Sequence, residues 1–267
     1  MSGELFYGVD QRIVILVALA LFLAALEIGF RLGRRRGVLS PTEWSQLTTV
    51  QAAMLGLLGL LLGFTFGMAQ GRYDFRRQMT LEESVALGTT WARAQILPEP
   101  HRSAIADLLR RYVDARIAFY DTPGVVSDPK RTEAARTDTE ALQTRLLDEA
   151  RAVAVEDRRS VMTAIFLQSL NEAIDQEERR LVALESHVPE AILLMLAFVA
   201  AAALSLVGFG FGLCGRRHIA ASTMAAVVIA AVMLLIVDLD RPQRGQVRIG
   251  QQSMLRLRET IRRATGQ

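Results

Sequence analysis

The chain has 267 residues, of which 51% are hydrophobic and 22% charged, with a formal net charge of only +3. Its single cysteine, Cys214, excludes an intramolecular disulfide and a cysteine-built zinc site. His101, His187 and His218 are far apart, none with a second metal ligand at helical spacing, so no metal or other cofactor is expected. Lys130 is the only lysine, and no basic stripe with interleaved aromatics points to a nucleic-acid partner.

The apolar residues are gathered into four windows nearly free of charge: Ile13–Phe30, Leu47–Ala69, Ala191–Leu213 and Ile219–Val237. Crossing a bilayer takes about 20 apolar residues in a helix. The pattern therefore predicts an all-α integral membrane protein with four transmembrane helices in two hairpins. The leader "MSGELFYGVDQR" carries two acids and one arginine, a poor start for a secretion signal, and "RLGRRR" follows the first window as a stop-transfer anchor would. The first window is accordingly read as a retained helix.

Residues 1–69 form the first hairpin, 70–190 a helical extramembrane domain, 191–237 the second hairpin and 238–267 a polar C-terminal tail. In the extramembrane stretch, "DFRRQMTLEESVALGTTWARAQIL" continues the second span as a charged helix, and "LPEP" ends it because proline disfavours helix at the preceding residue. A second helix runs from about His101 to Tyr120, with Ile105, Leu108, Leu109, Tyr112, Val113 and Ile117 on one face. "DTPGVVSDPK" is a turn-rich linker, with Asp128 as an N-cap before Pro129. Helices are then expected over about 130–155 and 156–187. Four amphipathic helices of this length can bury a small common core.

The second span carries a stripe. At 100° per residue, Gly56, Gly59, Gly63, Phe66, Gly67 and Gln70 fall on one side, with Met54, Leu57, Leu61, Phe64 and Met68 opposite. Small residues let membrane helices approach closely, while lipid accepts the large apolar face without loss. The simpler reading is helix packing within one subunit. The other is that the stripe faces an axis shared by several subunits and lines a pore, with Phe66 as an apolar constriction and Gln70 as a polar mouth. The third span has a similar packing seam of Ala201, Ser205, Gly208 and Gly212. Glu27 lies four residues before Arg31, and an interfacial ion pair is expected. Glu82, Glu83 and Arg93 read as a solvated helix face, with an ion-handling cluster as the alternative.

No nucleophile elbow, phosphate loop or His-Glu metal motif is present, and the chain is not read as an enzyme. The two short loops hold Arg31, Arg34, Arg35, Arg36, Arg216 and Arg217. By the positive-inside rule both loops are cytoplasmic, which places the helical domain outside the cell membrane.

The stretch "LLGFTFGMAQGRYDFRRQMTLEESVALGTTWARAQILPEPHRSAIADLLRRYVDARI" and the ending "DLDRPQRGQVRIGQQSML" resemble the bacterial bestrophin-like membrane proteins of unknown function. Through them the chain distantly resembles bestrophins. That resemblance implies a homo-oligomeric, pentameric pore for small anions in a bacterial inner membrane, lined by the second span, so that residues 59–70 would be the pore neck. The chain departs from bestrophins in lacking a clustered acidic run and an aromatic-proline neck motif. The resemblance implies a cytoplasmic helical domain, whereas the arginine loops imply the opposite, and the expectation here follows the arginines. A membrane-anchored sensor or scaffold, whose helical domain binds a partner, is the alternative reading.

Overall fold

The computed structural model describes residues 11–37, 39–121, 129–156, 158–241 and 249–266. These form eight helices, and no strand occurs among the described residues: α1 Gln11–Arg36, α2 Pro41–Ala94, α3 His101–Asp121, α4 Pro129–Glu156, α5 Val161–Glu185, α6 Glu190–Leu213, α7 Ile219–Asp240 and α8 Gln252–Thr265. The expected N-cap Asp128 lies outside the described residues. Helices α1, α2, α6 and α7 are long and apolar enough to cross a membrane.

The chain divides into two compact units. The first holds the described residues within Met1–Gly71 and His187–Arg241, that is α1, the first part of α2, α6 and α7. The second holds those within Arg72–Ser186 and Arg248–Gln267. The helix α2 contributes to both as one 54-residue element. Its start is well specified. The backbone N–H of Ser40 donates to Glu43 Oε2 at 2.8 Å, and the N–H of Glu43 donates back to Ser40 Oγ at 3.3 Å. With Pro41 in the first helical position this is a capping box, a signal that "SPTE" carries in plain sight. Gly37, at φ 84°, supplies the left-handed residue that lets the chain turn between α1 and α2.

In the first unit α1 packs chiefly on α6. The closest approach is glycine against backbone from both sides. A Cβ on Gly29 would lie 1.9 Å from the Ser205 carbonyl oxygen, and one on Gly33 2.1 Å from that of Phe209. Reciprocally, a Cβ on Gly208 would lie 2.2 Å from the Leu26 oxygen, and one on Gly212 2.2 Å from the Phe30 oxygen. Each helix thus contributes a Gly-x-x-x-Gly pair, and only glycine permits this separation. Gln51 ties α2 to the same helix by donating to the Leu206 carbonyl at 2.7 Å.

The second unit has its own core, built from Leu87 and Trp91 of α2, Ile105, Leu109 and Tyr112 of α3, Leu146 and Val153 of α4, and Phe166 and Leu170 of α5. The sequence reading leaves 238–267 as a polar tail, but Met254 and Ile261 of α8 are buried in this core. They are seven residues apart, so they share one helical face; Arg256 lies on the opposite face, while Arg258 flanks the buried one and is half-buried. The expected single helix over 156–187 also differs at its start. Here Ser160 caps α5 by accepting from the Thr163 N–H at 3.2 Å, which starts the helix at Val161.

Candidate functional site

The glycine stripe is empty on its outer side. A Cβ added at Gly56, Gly59, Gly63 or Gly67 would meet no atom of the described residues within 4 Å. In this part of α2 the buried residues are instead Leu58, Thr65 and Ala69. On a helix those three cluster within about 40°, and the stripe is centred roughly 130° around from them. Among the described residues, packing of this part of α2 within the first unit uses a different face from the glycines. Phe66 borders the open face and is exposed, Phe64 is exposed on another flank, and Gln70 is half-buried.

The third-span residues behave oppositely. Gly208 and Gly212 are buried against α1, while Ala201 and Ser205 are half-buried beside them. Two classes of glycine thus coexist in one unit: those clasped by a neighbouring backbone, and those with no neighbour within reach among the described residues.

Among the other charged positions, Glu27 pairs with Arg31 at 2.8 Å and also reaches Arg217 of the second hairpin at 3.2 Å. The local pair follows from i,i+4 spacing; the second crosses 190 residues of sequence. Asp238 and Asp240 are buried in the last turn of α7, and Asp240 Oδ2 accepts from the Val188 N–H at 2.8 Å.

The second unit contains an ionic cluster that the sequence reading misplaced. Glu83 is fully buried and bridges Arg116 at 2.6 Å and Arg180 at 2.5 Å, rather than lying on a solvated face. Arg116 continues to Glu177 at 2.8 Å, and Glu177 also accepts from Tyr112 and Gln143. Arg180 stacks on the Tyr120 ring, 3.4 Å from its centroid. Burial acts to raise the Glu83 carboxyl, but Arg116 and Arg180 outweigh it and hold the group below the usual carboxylate range. Burial wins at Glu177, which is raised despite Arg116. Of the companions read with Glu83, Glu82 accepts from Gln78 and Arg93 donates to the Ile165 carbonyl. His101 sits between two α4 carboxylates, Nδ1 3.0 Å from Glu149 and Nε2 3.2 Å from Glu156, and the Glu149 hydrogen bond leads in raising its pKa. No group of three His, Cys, Asp or Glu placed to hold a metal ion occurs among the described residues.

Four apolar helices, a glycine-clasped hairpin pair and a helical domain with an ionic centre define a multi-pass α-helical membrane protein. More narrowly, the chain belongs to the bestrophin-like domain family, whose model matches residues 14–254. Its fold is similar to that of a bacterial bestrophin homologue from Klebsiella pneumoniae, at TM-score 0.65 and 18% identity, over 96% of this chain and 98% of that one. Two variants of that homologue match comparably: one at TM-score 0.64 and 18% identity over 96% and 99% of the two chains, and another at 0.66 and 17% over 96% and 97%. No curated protein matches the chain.

Proposed function

We propose that this chain assembles with copies of itself around α2 and forms an ion channel of a bacterial inner membrane, passing small anions. Gly59, Gly63, Phe66 and Gln70 would lie on the conducting face, and the chain would not be an enzyme. One observation carries the reading: the glycines of this face meet nothing among the described residues of their own chain, although glycine costs roughly 1 kcal/mol against alanine inside a helix. A lipid-facing helix has no use for that cost. A helix repeated around an axis does, because small residues leave space along it. Phe66 would then narrow the pore with apolar surface, a common means of gating by dewetting.

Flux in reconstituted liposomes tests this. Phe66→Ala widens the constriction and is expected to raise anion flux. Gln70→Glu adds one negative charge per subunit and is expected to disfavour anions relative to cations. Phe64→Ala is the control, since it changes no conducting dimension. Flux indifferent to Phe66 and Gln70 would remove α2 from the pore. A parent without flux that purifies as a monomer or simple dimer would favour a membrane-anchored scaffold.

A further inference from the structure

In the second unit, His101 opens α3 with a buried ring, and both of its ring nitrogens meet carboxylates of α4. Nδ1 lies 3.0 Å from Glu149 and Nε2 3.2 Å from Glu156. These glutamates are seven residues apart, so they stand on one face of α4, two turns from each other, with the ring between them. The two contacts differ in kind. Glu149 is hydrogen-bonded to Nδ1, whereas Nε2 has no aligned hydrogen bond and meets Glu156 only as a close charge. Glu156 is the last residue of α4, and its side chain is 65% exposed. It forms no other ion pair among the described residues.

An imidazolium donates from both nitrogens and so serves both carboxylates, but a neutral ring carries one proton only. The Glu149 bond keeps that proton on Nδ1. The Nε2 lone pair then points at a carboxylate oxygen, and the exposed Glu156 can turn away into solvent. We infer that His101 is a proton-operated latch between α3 and α4: the doubly protonated ring closes the C-terminal end of α4 onto α3, and loss of one proton releases that end through Glu156. The latch does not depend on whether the protein conducts.

The other charges of this region are engaged elsewhere or exposed. Glu99 and Arg102, at the approach to α3, bond each other at 2.5 Å, and Asp148 pairs with Arg151 on the exposed side of α4. Arg93 of α2 donates to the Ile165 carbonyl of α5, and Arg262 of α8 lies beside Asp114. Arg158 and Arg159, in the turn after α4, are exposed. The Glu149 hydrogen bond leads, with Glu156 behind it, in holding the ring above its ordinary 6.5 against the effect of burial. A group raised in this way stabilises fully below its ordinary value and loses the contribution as pH rises through the folded value. The latch is therefore closed in mild acid and opens toward alkaline pH.

Hydrogen exchange of the full-length protein in detergent tests this. Peptides from the C-terminal half of α4 are followed at about pH 5.5 and about pH 8.5, on either side of the imidazole range, with exposure times scaled for the chemical pH dependence of exchange. The parent is expected to lose protection severalfold there at the higher pH, with α8 unchanged. His101→Gln should remove the step. Glu156→Gln should remove it too while keeping the end protected, because an amide donates to the neutral Nε2 and, turned over, accepts from the protonated one. Glu156 is exposed, so that variant leaves the core intact. A parent without a step would overturn the latch, and so would an unchanged step in Glu156→Gln. Equal loss of protection in α8 would mean that the whole unit loosens, which also overturns it. A step surviving in both variants would belong instead to Glu177, which bonds Gln143 of α4 and is raised as well.

Discussion

Glu83 shows what a single buried charge does here. Its carboxylate is the shared partner of Arg116 and Arg180, and among the described residues Glu177 is the only other acid bonded to these two arginines. Removing one partner of a buried pair typically costs about 3–5 kcal/mol, because the remaining charge is left without compensation. Glu83→Gln keeps the volume and removes the charge, so it should lower stability by about that amount in thermal denaturation of the full-length protein. Glu140→Gln, at an exposed pair with Arg136, should change it by less than about 1 kcal/mol. The pH dependence has a definite sign. A carboxyl held below its ordinary value of 4.5 stabilises the fold above that pH and loses the contribution as pH falls through the folded value. Glu177, raised instead, contributes with the opposite slope. The difference between parent and Glu83→Gln should therefore shrink as pH falls below 4.5, and a difference that grows on acidification would contradict the assignment. The Glu27–Arg31 pair was legible from four-residue spacing, but the Glu83 partners are 33 and 97 residues away. Without the tertiary fold, nothing in "LEES" separates a buried glutamate from a solvated one.

The helices were legible to different degrees, and the reason is physical. A membrane span is declared by about 20 consecutive apolar residues, a signal that needs no partner to be read. The amphipathic helices of the second unit are declared by period alone, which is why the period over 156–187 runs past the true start of α5 at Val161 and α8 reads as a polar tail. Ser160 supplies a local cap, and Met254, Leu257 and Ile261 are the few apolar contacts of a basic helix. Which small residues clasp and which do not was hidden altogether. Gly208 and Gly59 sit in similar apolar surroundings in sequence, yet one abuts the Leu26 carbonyl and the other meets nothing among the described residues. Substitution should separate them. Gly208→Leu must force α1 and α6 apart, since even a Cβ there would lie 2.2 Å from the Leu26 oxygen. Overpacking a core typically costs about 1–3 kcal/mol, and this site, closed by backbone, should cost at least that in melting temperature or assembly yield. Gly56→Ala, in open space, should be neutral or slightly stabilising in the single chain, because alanine is the better helix former. Equal effects at the two positions would show that the two glycine classes are not distinct.

At the scale of the whole molecule the open matter is sidedness, and the structure sharpens the charge argument. The short loops carry six arginines, and the opposite face also has basic residues near the membrane, Arg72, Arg76, Arg77 and Arg241 among the described ones. A count alone therefore separates the faces poorly. The bonding separates them better. Arg76 is buried and donates to the Ala183 and Ser186 carbonyls, Arg72 donates to Ser186 Oγ, and Arg241 is buried. Those three serve the folded protein, and of the four only Arg77 is exposed. In the short loops Arg34, Arg35, Arg36 and Arg216 are exposed. Exposed arginines in short loops are the ones on which the positive-inside rule acts, so the short loops are expected in the cytoplasm and the helical domain outside. The chain carries its own reporter. Cys214 is exposed at the C-terminal end of α6, within the second short loop. A membrane-impermeant maleimide applied to spheroplasts should leave the parent unlabelled and label it once the membrane is opened. In a Cys214→Ser background, Ala141→Cys places a thiol on an exposed position of α4, and it should label before the membrane is opened. The reverse pattern, with Cys214 reached from outside and the α4 thiol protected, would put the helical domain in the cytoplasm. The orientation implied by the bestrophin resemblance would then hold in spite of the arginines. That result would leave the open face of α2 unchanged, and would reverse only the side from which ions enter it.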